Sequence, residues 1–195
     1  MRRGDTRPAL SRGGRAAYRA QQFAAALWPR VDAPERAAIL ARAQMPPTLA
    51  ALFERVPRAY QAHGLRVARR LLAAGSADPL LLQAALLHDL GKWDPATGRR
   101  VRIPVRVATV LLRRVAPGRR VLAALGRLES RVPAWRTSWV WQAHHPARGA
   151  AMLAAAGADP AVVALVRHHE VSAPAGLSPT QAARLRALQA ADEQE

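Results

Sequence analysis

The chain contains no cysteine and no long apolar run. Without cysteine there can be no disulfide, no thiolate zinc site and no cysteine nucleophile. Arginines interrupt every apolar stretch before it reaches the ~20 residues of a membrane span, so we expect no membrane partner. No secretory hydrophobic segment follows Met1, and the arginine-rich first twenty residues are interpreted as the basic leader of a cytoplasmic protein rather than as a transit peptide.

Lysine is almost absent as well. Of the 30 cationic residues, 29 are arginine and one, Lys92, is lysine, in a chain with 45 alanines and a formal charge of +17. This bias is typical of a very GC-rich genome, which makes the charge weaker evidence for a nucleic-acid partner than its size suggests. By the same argument, the one retained lysine is a candidate functional residue.

The segment 99–136 holds 11 arginines and a single acid, Glu129. Interleaved tryptophans in and after this segment could stack nucleic-acid bases: these are Trp135, Trp139 and Trp141. The alternative is a solvated helical surface with tryptophans packed in the core, and the spacing of four residues between Trp135 and Trp139 favours it. A nucleic-acid partner is therefore an open but less favoured hypothesis.

The apolar pattern is helical nearly throughout, and alternation with a period of two is absent, which predicts an all-α protein. We expect an N-terminal helical extension over residues 1–56 and one helical domain over residues 57–195. Asp78-Pro79 is expected to begin a helix that runs to about Leu90, and a break is expected at Pro117-Gly118. Separate helices are predicted for 135–144 and 145–157, and later helices are expected to begin at 159–160 and 178–181.

All six histidines are candidates for one site: His63, His88, His144, His145, His168 and His169. Most lie on helical stripes of apolar residues, as does Asp192, and His88 is followed directly by Asp89. A single histidine on such a stripe is more often a hydrogen-bonded core residue than a ligand. Because none is left for an ordinary surface position, we favour a bound divalent cation, which neutral imidazoles and carboxylates suit. His145 is expected at a helix N-terminus, where the positive end of the dipole keeps its ring neutral.

A nine-residue run, Ala84-Ala85-Leu86-Leu87-His88-Asp89-Leu90-Gly91-Lys92, closely resembles the core of the HD-domain superfamily of metal-dependent phosphohydrolases. His63 stands where that family places its first histidine, and Asp192 where it places its last aspartate. The stretch 145–150 and the later His168-His169-Glu170 are similar to the additional ligands of its two-metal branch. The resemblance covers residues 63–192.

The resemblance implies an HD-domain-like helical bundle around one or two divalent ions, drawn from Fe, Mn, Zn, Ni, Co and Mg. By it, one metal is held by His63, His88, Asp89 and Asp192. Asp89, the implied catalytic carboxylate, bridges to a second metal held by His145, His168 and His169. Lys92 then contacts the phosphate of a small phosphorylated, nucleotide-like substrate, which is hydrolysed as a phosphomonoester or phosphodiester by a metal-activated water.

The chain also departs from the two-metal branch. No Gly-Tyr-Pro follows Glu170, where the sequence continues Val171-Ser172-Ala173, so cyclic di-guanylate is not indicated as substrate. His144 competes with His145 as ligand, and His145 is preferred because its spacing to Gly149 matches the family. Two other functions stay open: an HD-type di-iron oxygenase, which uses a similar ligand set, and a non-catalytic nucleic-acid-binding or regulatory module.

Overall fold

The fold is all-α, as predicted. The computed structural model describes residues 32–113, 115–125 and 133–193. The helices are α1 (Ala33–Arg42), α2 (Pro47–Arg55), α3 (Arg58–Ala73), α4 (Pro79–Leu87), α5 (Ile103–Arg113), α6 (Ala116–Leu125), α7 (Ala134–Ala155), α8 (Pro160–His168) and α9 (Pro179–Glu193), with a 3₁₀ turn at Leu90–Lys92. Among the described helices, none has the length and apolar character that crossing a membrane requires.

Three helix starts follow the expected capping chemistry. The Asp78 carboxylate accepts hydrogen bonds from the backbone N–H groups of Leu80 and Leu81 at the start of α4. Asp159 caps α8 in the same way. Before α9, Ser178 and Gln181 form a reciprocal capping box, in which each side chain bonds the other residue's backbone N–H.

Three helix boundaries differ from the prediction. Helix α7 runs without a break through Pro146, so His145 lies inside a helix and not at an N-terminus. Helix α4 ends at Leu87 rather than near Leu90, because the backbone leaves the helical region at Asp89 (φ −91°, ψ 5°). The break between α5 and α6 precedes Ala116, and Pro117 lies in the first turn of α6, where a missing N–H costs no hydrogen bond.

The core is formed by α3, α4, α7, α8 and α9. Helix α4 packs between α3 and α8, the 3₁₀ turn packs against α7, and α9 covers α3 and α8. Fully buried leucines such as Leu82, Leu165 and Leu188 fill the space between these helices. Leu49 and Phe53 of α2 belong to the same core. The domain boundary at residue 56 stays a prediction, and most of the proposed extension, residues 1–31, lies outside the described chain.

Part of the arginine-rich segment lies in α5 and α6, which pack against each other and against α7. Trp139 and Trp141 are half-buried on α7, and the guanidinium of Arg148 lies 4.2 Å from the ring centroid of Trp141. The side chain of Trp135 lies outside the described residues. The nucleic-acid hypothesis therefore stays a prediction.

Candidate metal centre

Five side chains from four parts of the fold converge at the centre of the bundle. His63 lies within α3, His88 and Asp89 directly follow α4, His145 lies within α7, and His169 directly follows α8. Together they form two buried groups that share Asp89, and within each group the possible ligand atoms lie within 4.8 Å of one another. The exposed fraction is 0% for His145 and 1% for His88, so water does not solvate these rings.

Two of the imidazole rings are oriented by carbonyls at helix ends. Nδ1 of His88 lies 2.9 Å from the carbonyl oxygen of Ala85, and Nδ1 of His169 lies 2.7 Å from that of Val166. The last carbonyls of a helix have no partner within the helix and are free to accept these bonds. A carbonyl only accepts, so both Nδ1 atoms carry a hydrogen, and a neutral ring held in this way presents the lone pair of Nε2 to the site.

The third ring, that of His145, is also oriented by an Nδ1–carbonyl hydrogen bond, in this case inside a helix. Its Nδ1 donates to the carbonyl oxygen of Gln142 at 2.7 Å. In a regular helix that carbonyl accepts from the backbone N–H of residue 146, but Pro146 has none. The proline thus frees a carbonyl in the middle of α7, and the imidazole of His145 uses it. This explains why the helix continues through a residue expected to begin a new one.

As a consequence, no hydrogen lies between the Nε2 atoms of His145 and His169. The two Nε2 atoms are 3.1 Å apart, although both rings carry their hydrogen on Nδ1. Burial lowers the pKa of His145 well below its ordinary value and lowers that of His169 to about 4. Both rings are therefore neutral at pH 7, and two lone pairs face each other across a distance at which they repel.

A cation resolves this repulsion, and the residues present fit one. If two nitrogens bind one ion at about 2.1 Å and the nitrogen–metal–nitrogen angle is about 90°, the nitrogens are about 3.0 Å apart. The Nε2 atoms of His63 and His88 are 3.0 Å apart, and those of His145 and His169 are 3.1 Å apart. A shell of neutral imidazoles and carboxylates is what borderline divalent metals prefer. The chemistry and spacing of both groups are therefore compatible with a metal site.

Asp192 completes the first group from α9. Its Oδ1 lies 3.1 Å from Nε2 of His63 and 3.5 Å from Nε2 of His88. Burial opposes the charged form, but the side-chain hydrogen bond from His63 holds the pKa of Asp192 well below its ordinary value. Its carboxylate is therefore ionised at neutral pH and places an oxygen beside the first group.

Asp89 lies between the two groups and is 4% exposed. Its oxygens are 3.6 Å from Nε2 of His88 and 3.5 Å from Nε2 of His145. Burial raises its pKa, but nearby positive charge, above all that of the Lys92 ammonium, holds the pKa of Asp89 well below its ordinary value. Nζ of Lys92 lies 2.7 Å from Oδ1 and 2.8 Å from Oδ2, so the one lysine of the chain is paired with the shared carboxylate.

Gly91 allows this turn to meet α7. A Cβ atom at position 91 would lie 2.0 Å from the carbonyl oxygen of His145 and 2.6 Å from the backbone nitrogen of Gly149. Only a residue without a side chain fits there. The glycine thus sets the distance between the residues on either side of the centre, Asp89 and His145.

The structure brings together His63, His88, Asp89, Lys92, His145, His169 and Asp192. It places neither His144 nor His168 in a ligand group. Both are half-buried, and each is adjacent in sequence to a histidine that belongs to a group. Glu170 belongs to the stretch that resembles the additional ligands but was assigned to neither metal, and its Oε1 lies 3.8 Å from Nε2 of His145. Its position directly after His169 was the available signal.

The chain matches no protein-family model, no curated protein and no solved structure. The site itself therefore carries the functional argument. The buried cluster of His63, His88, Asp89, His145 and His169 is compatible with an HD-like metal site and with a metal-dependent hydrolase.

Proposed function

We propose that this protein is a metal-dependent phosphohydrolase of the HD type that acts on a small phosphorylated substrate. The observation that carries the proposal is the pair of neutral imidazoles, His145 and His169, whose Nε2 atoms meet at 3.1 Å with no hydrogen between them. Such an arrangement is costly without a cation. The shared carboxylate of Asp89 and the nearby ammonium of Lys92 favour phosphate chemistry over a purely structural ion.

Each group would hold one divalent ion. The first would take Nε2 of His63 and His88 with the carboxylates of Asp89 and Asp192; the second would take Asp89, His145 and His169. His168 is left out of this set because neither group contains it. When bound, such ions supply Lewis-acid stabilisation of phosphoryl oxygens and lower the pKa of a coordinated water to near neutrality.

The residues of the chain then have separate tasks. The Nδ1–carbonyl bonds hold the imidazoles in the tautomer that binds metal, which fixes their position before substrate arrives. Asp89 spans the two groups and keeps them at a fixed separation. The Lys92 ammonium, already paired with Asp89, has three donors and can give one to a phosphoryl oxygen while it neutralises the charge of the phosphate.

Adjacent histidines provide a matched experiment. Metal-free protein is loaded with Mn²⁺, and metal content and the hydrolysis of p-nitrophenyl phosphate and bis(p-nitrophenyl) phosphate are measured. The wild type is compared with His145→Gln and His169→Gln, and with the controls His144→Gln and His168→Gln. We expect the first two variants to lose at least one ion and most activity, and the controls to keep both.

Other outcomes redirect or reject the proposal. Equal losses in the control variants would contradict the ligand assignment. If iron-loaded protein releases no phosphate but catalyses an oxidation that consumes O₂, the di-iron oxygenase replaces the phosphohydrolase. If the folded wild type binds metal without either activity, the non-catalytic module is supported instead.

A further inference from the structure

A cavity of about 200 Å³ lies beside the second ligand group, between α7 and the α5–α6 hairpin. Its walls include Thr109, Leu122, Leu125, Trp139, Gln142 and Glu170. Glu170 also approaches Nε2 of His145 to 3.8 Å, so one residue belongs both to the wall of the cavity and to the surroundings of the candidate metal centre. The cavity is therefore adjacent to the site where phosphate is expected.

The walls select for an apolar, flat group. Leu122, Leu125, Trp139 and Ala143 form the apolar part of the lining. An engineered apolar cavity of about 150 Å³ holds one benzene molecule, so about 200 Å³ has room for one substituted six-membered ring. Aromatic rings stack favourably on tryptophan.

The polar groups of the wall select for a hydrogen-bond donor. The Thr109 hydroxyl donates to the carbonyl oxygen of Val105 at 2.8 Å, so its hydrogen is already used. Gln142 is 6% exposed, and its amide oxygen has no hydrogen-bond partner in the part of the chain that the structure describes. That oxygen is not accessible to solvent. The last side-chain torsion of glutamine has a broad range of allowed values, so the amide can turn toward a bound ring. A ring carrying N–H or O–H would satisfy it.

We propose that this cavity binds the organic group of the substrate, an aromatic ring whose N–H or O–H donates to the Gln142 amide. The proposal rests on the proposed function, since it places the phosphate at the metal centre. The backbone carbonyl of Gln142 orients the His145 ring, and its side chain lines the cavity. Gln142 thus connects the proposed ring-binding cavity with His145, the candidate metal ligand that its backbone carbonyl orients.

Three aryl and alkyl phosphates test the proposal with Mn²⁺-loaded protein: 3-aminophenyl phosphate, its near-isostere 3-methylphenyl phosphate, and ethyl phosphate, which has no ring. Comparing variant with wild type for each ester removes differences in intrinsic reactivity. Gln142→Leu keeps the backbone carbonyl and removes the amide, and should lower the amino-over-methyl preference in kcat/KM about 3- to 10-fold. An unchanged preference would overturn the assignment of Gln142.

A second variant tests the cavity independently. Ala143 lines the cavity and is exposed, so Ala143→Phe should cover the opening and lower kcat/KM for both aryl esters at least about 10-fold relative to ethyl phosphate. Ala151→Phe, at an exposed site two turns further along α7, is the matched control and should leave the ratio unchanged. The same aryl-to-alkyl ratio in both phenylalanine variants would overturn the cavity as the ring site.

The cavity can also be tested without catalysis. Binding of 3-aminophenol is measured by ligand-observed NMR with wild type, Ala143→Phe and Ala151→Phe. Binding lost only in Ala143→Phe supports the cavity even if no ester is hydrolysed, in which case the proposed function alone fails. No binding to the wild type, or equal binding to all three proteins, contradicts the inference.

Discussion

Replacing Gly91 with alanine should damage both stability and metal binding, because this residue sets the approach of the 3₁₀ turn to α7. The added Cβ would lie 2.0 Å from the His145 carbonyl oxygen, whereas ordinary contact begins at 3.4 Å. The turn and α7 must therefore separate by about 1.4 Å, the difference between these two distances. Both partners are backbone, so no side-chain rotation relieves the overlap.

The expected magnitude follows from this displacement. Overpacking of a core costs about 1–3 kcal/mol, and a clash against backbone on both sides belongs at the upper end. A loss of about 3 kcal/mol lowers Tm by about 6–12 °C in a protein of this size. The same movement lengthens the 3.5 Å distance from Asp89 to Nε2 of His145. Disturbing the support of a ligand by this much weakens metal binding by about 10- to 100-fold.

The assay is thermal unfolding of the metal-free protein followed by Mn²⁺ titration, with Gly149→Ala as control. A Cβ at position 149 faces the same contact but lies 3.1 Å from the nearest atom, the backbone nitrogen of Gly91, so small shifts accommodate it. We expect its Tm to change by no more than about 2–4 °C, since alanine in place of a helical glycine gains up to about 1 kcal/mol. Equal Tm and Mn²⁺ affinity for the two variants would refute the reasoning.

Three further predictions follow from the same geometry. Pro146→Ala restores an N–H that competes for the Gln142 carbonyl, so metal affinity measured by titration should fall about 10-fold while the helix content by circular dichroism is kept; unchanged affinity would contradict the role of the proline. Lys92→Arg should keep metal by elemental analysis but lose most phosphatase activity, because a planar guanidinium cannot replace a compact ammonium beside Asp89, and wild-type kcat would remove the lysine from the site. In the metal-free protein the folded-state pKa of His169, about 4, lies below the 6.5 of an unfolded histidine, so the unfolded chain binds more protons between these values. Titration of His169 alone should therefore raise the free energy of unfolding in urea by roughly 3 kcal/mol from pH 4 to pH 6.5, in addition to the contribution of His145, whose pKa burial also lowers. His169→Gln should make the rise smaller by about this amount, and an equally steep profile in that variant would contradict the assignment.

The helical class and most helix starts were predictable because they depend on local chemistry. Apolar periodicity and the caps at Asp78, Asp159 and Ser178 act within a few residues, and the structure confirms them. Helix α7 was wrongly divided at Pro146 because a proline ordinarily begins or breaks a helix. Only the three-dimensional structure shows that the Gln142 carbonyl, which Pro146 leaves free, accepts a hydrogen bond from the His145 ring.

Much of the candidate site was also accessible from the run ending in Gly91-Lys92. That run, however, cannot separate neighbouring histidines, because adjacent helical residues point about 100° apart and the direction of the bundle centre is a tertiary property. The structure directs His145 and His169 inward and leaves His144 and His168 outside both groups. The cavity was not predictable for the same reason, since its walls come from α5, α6, α7 and Glu170, whose packing against one another is a tertiary property.

The central claim is that the facing imidazoles of His145 and His169 hold a divalent ion. It is tested most directly by elemental analysis of the wild-type protein after metal removal, incubation with Mn²⁺ and exhaustive dialysis, alongside His169→Gln. We predict one to two tightly held ions per wild-type chain and at least one fewer in the variant. A folded wild-type protein that retains no Mn²⁺, and that also fails to retain Fe²⁺, Zn²⁺ or Ni²⁺, would contradict the account.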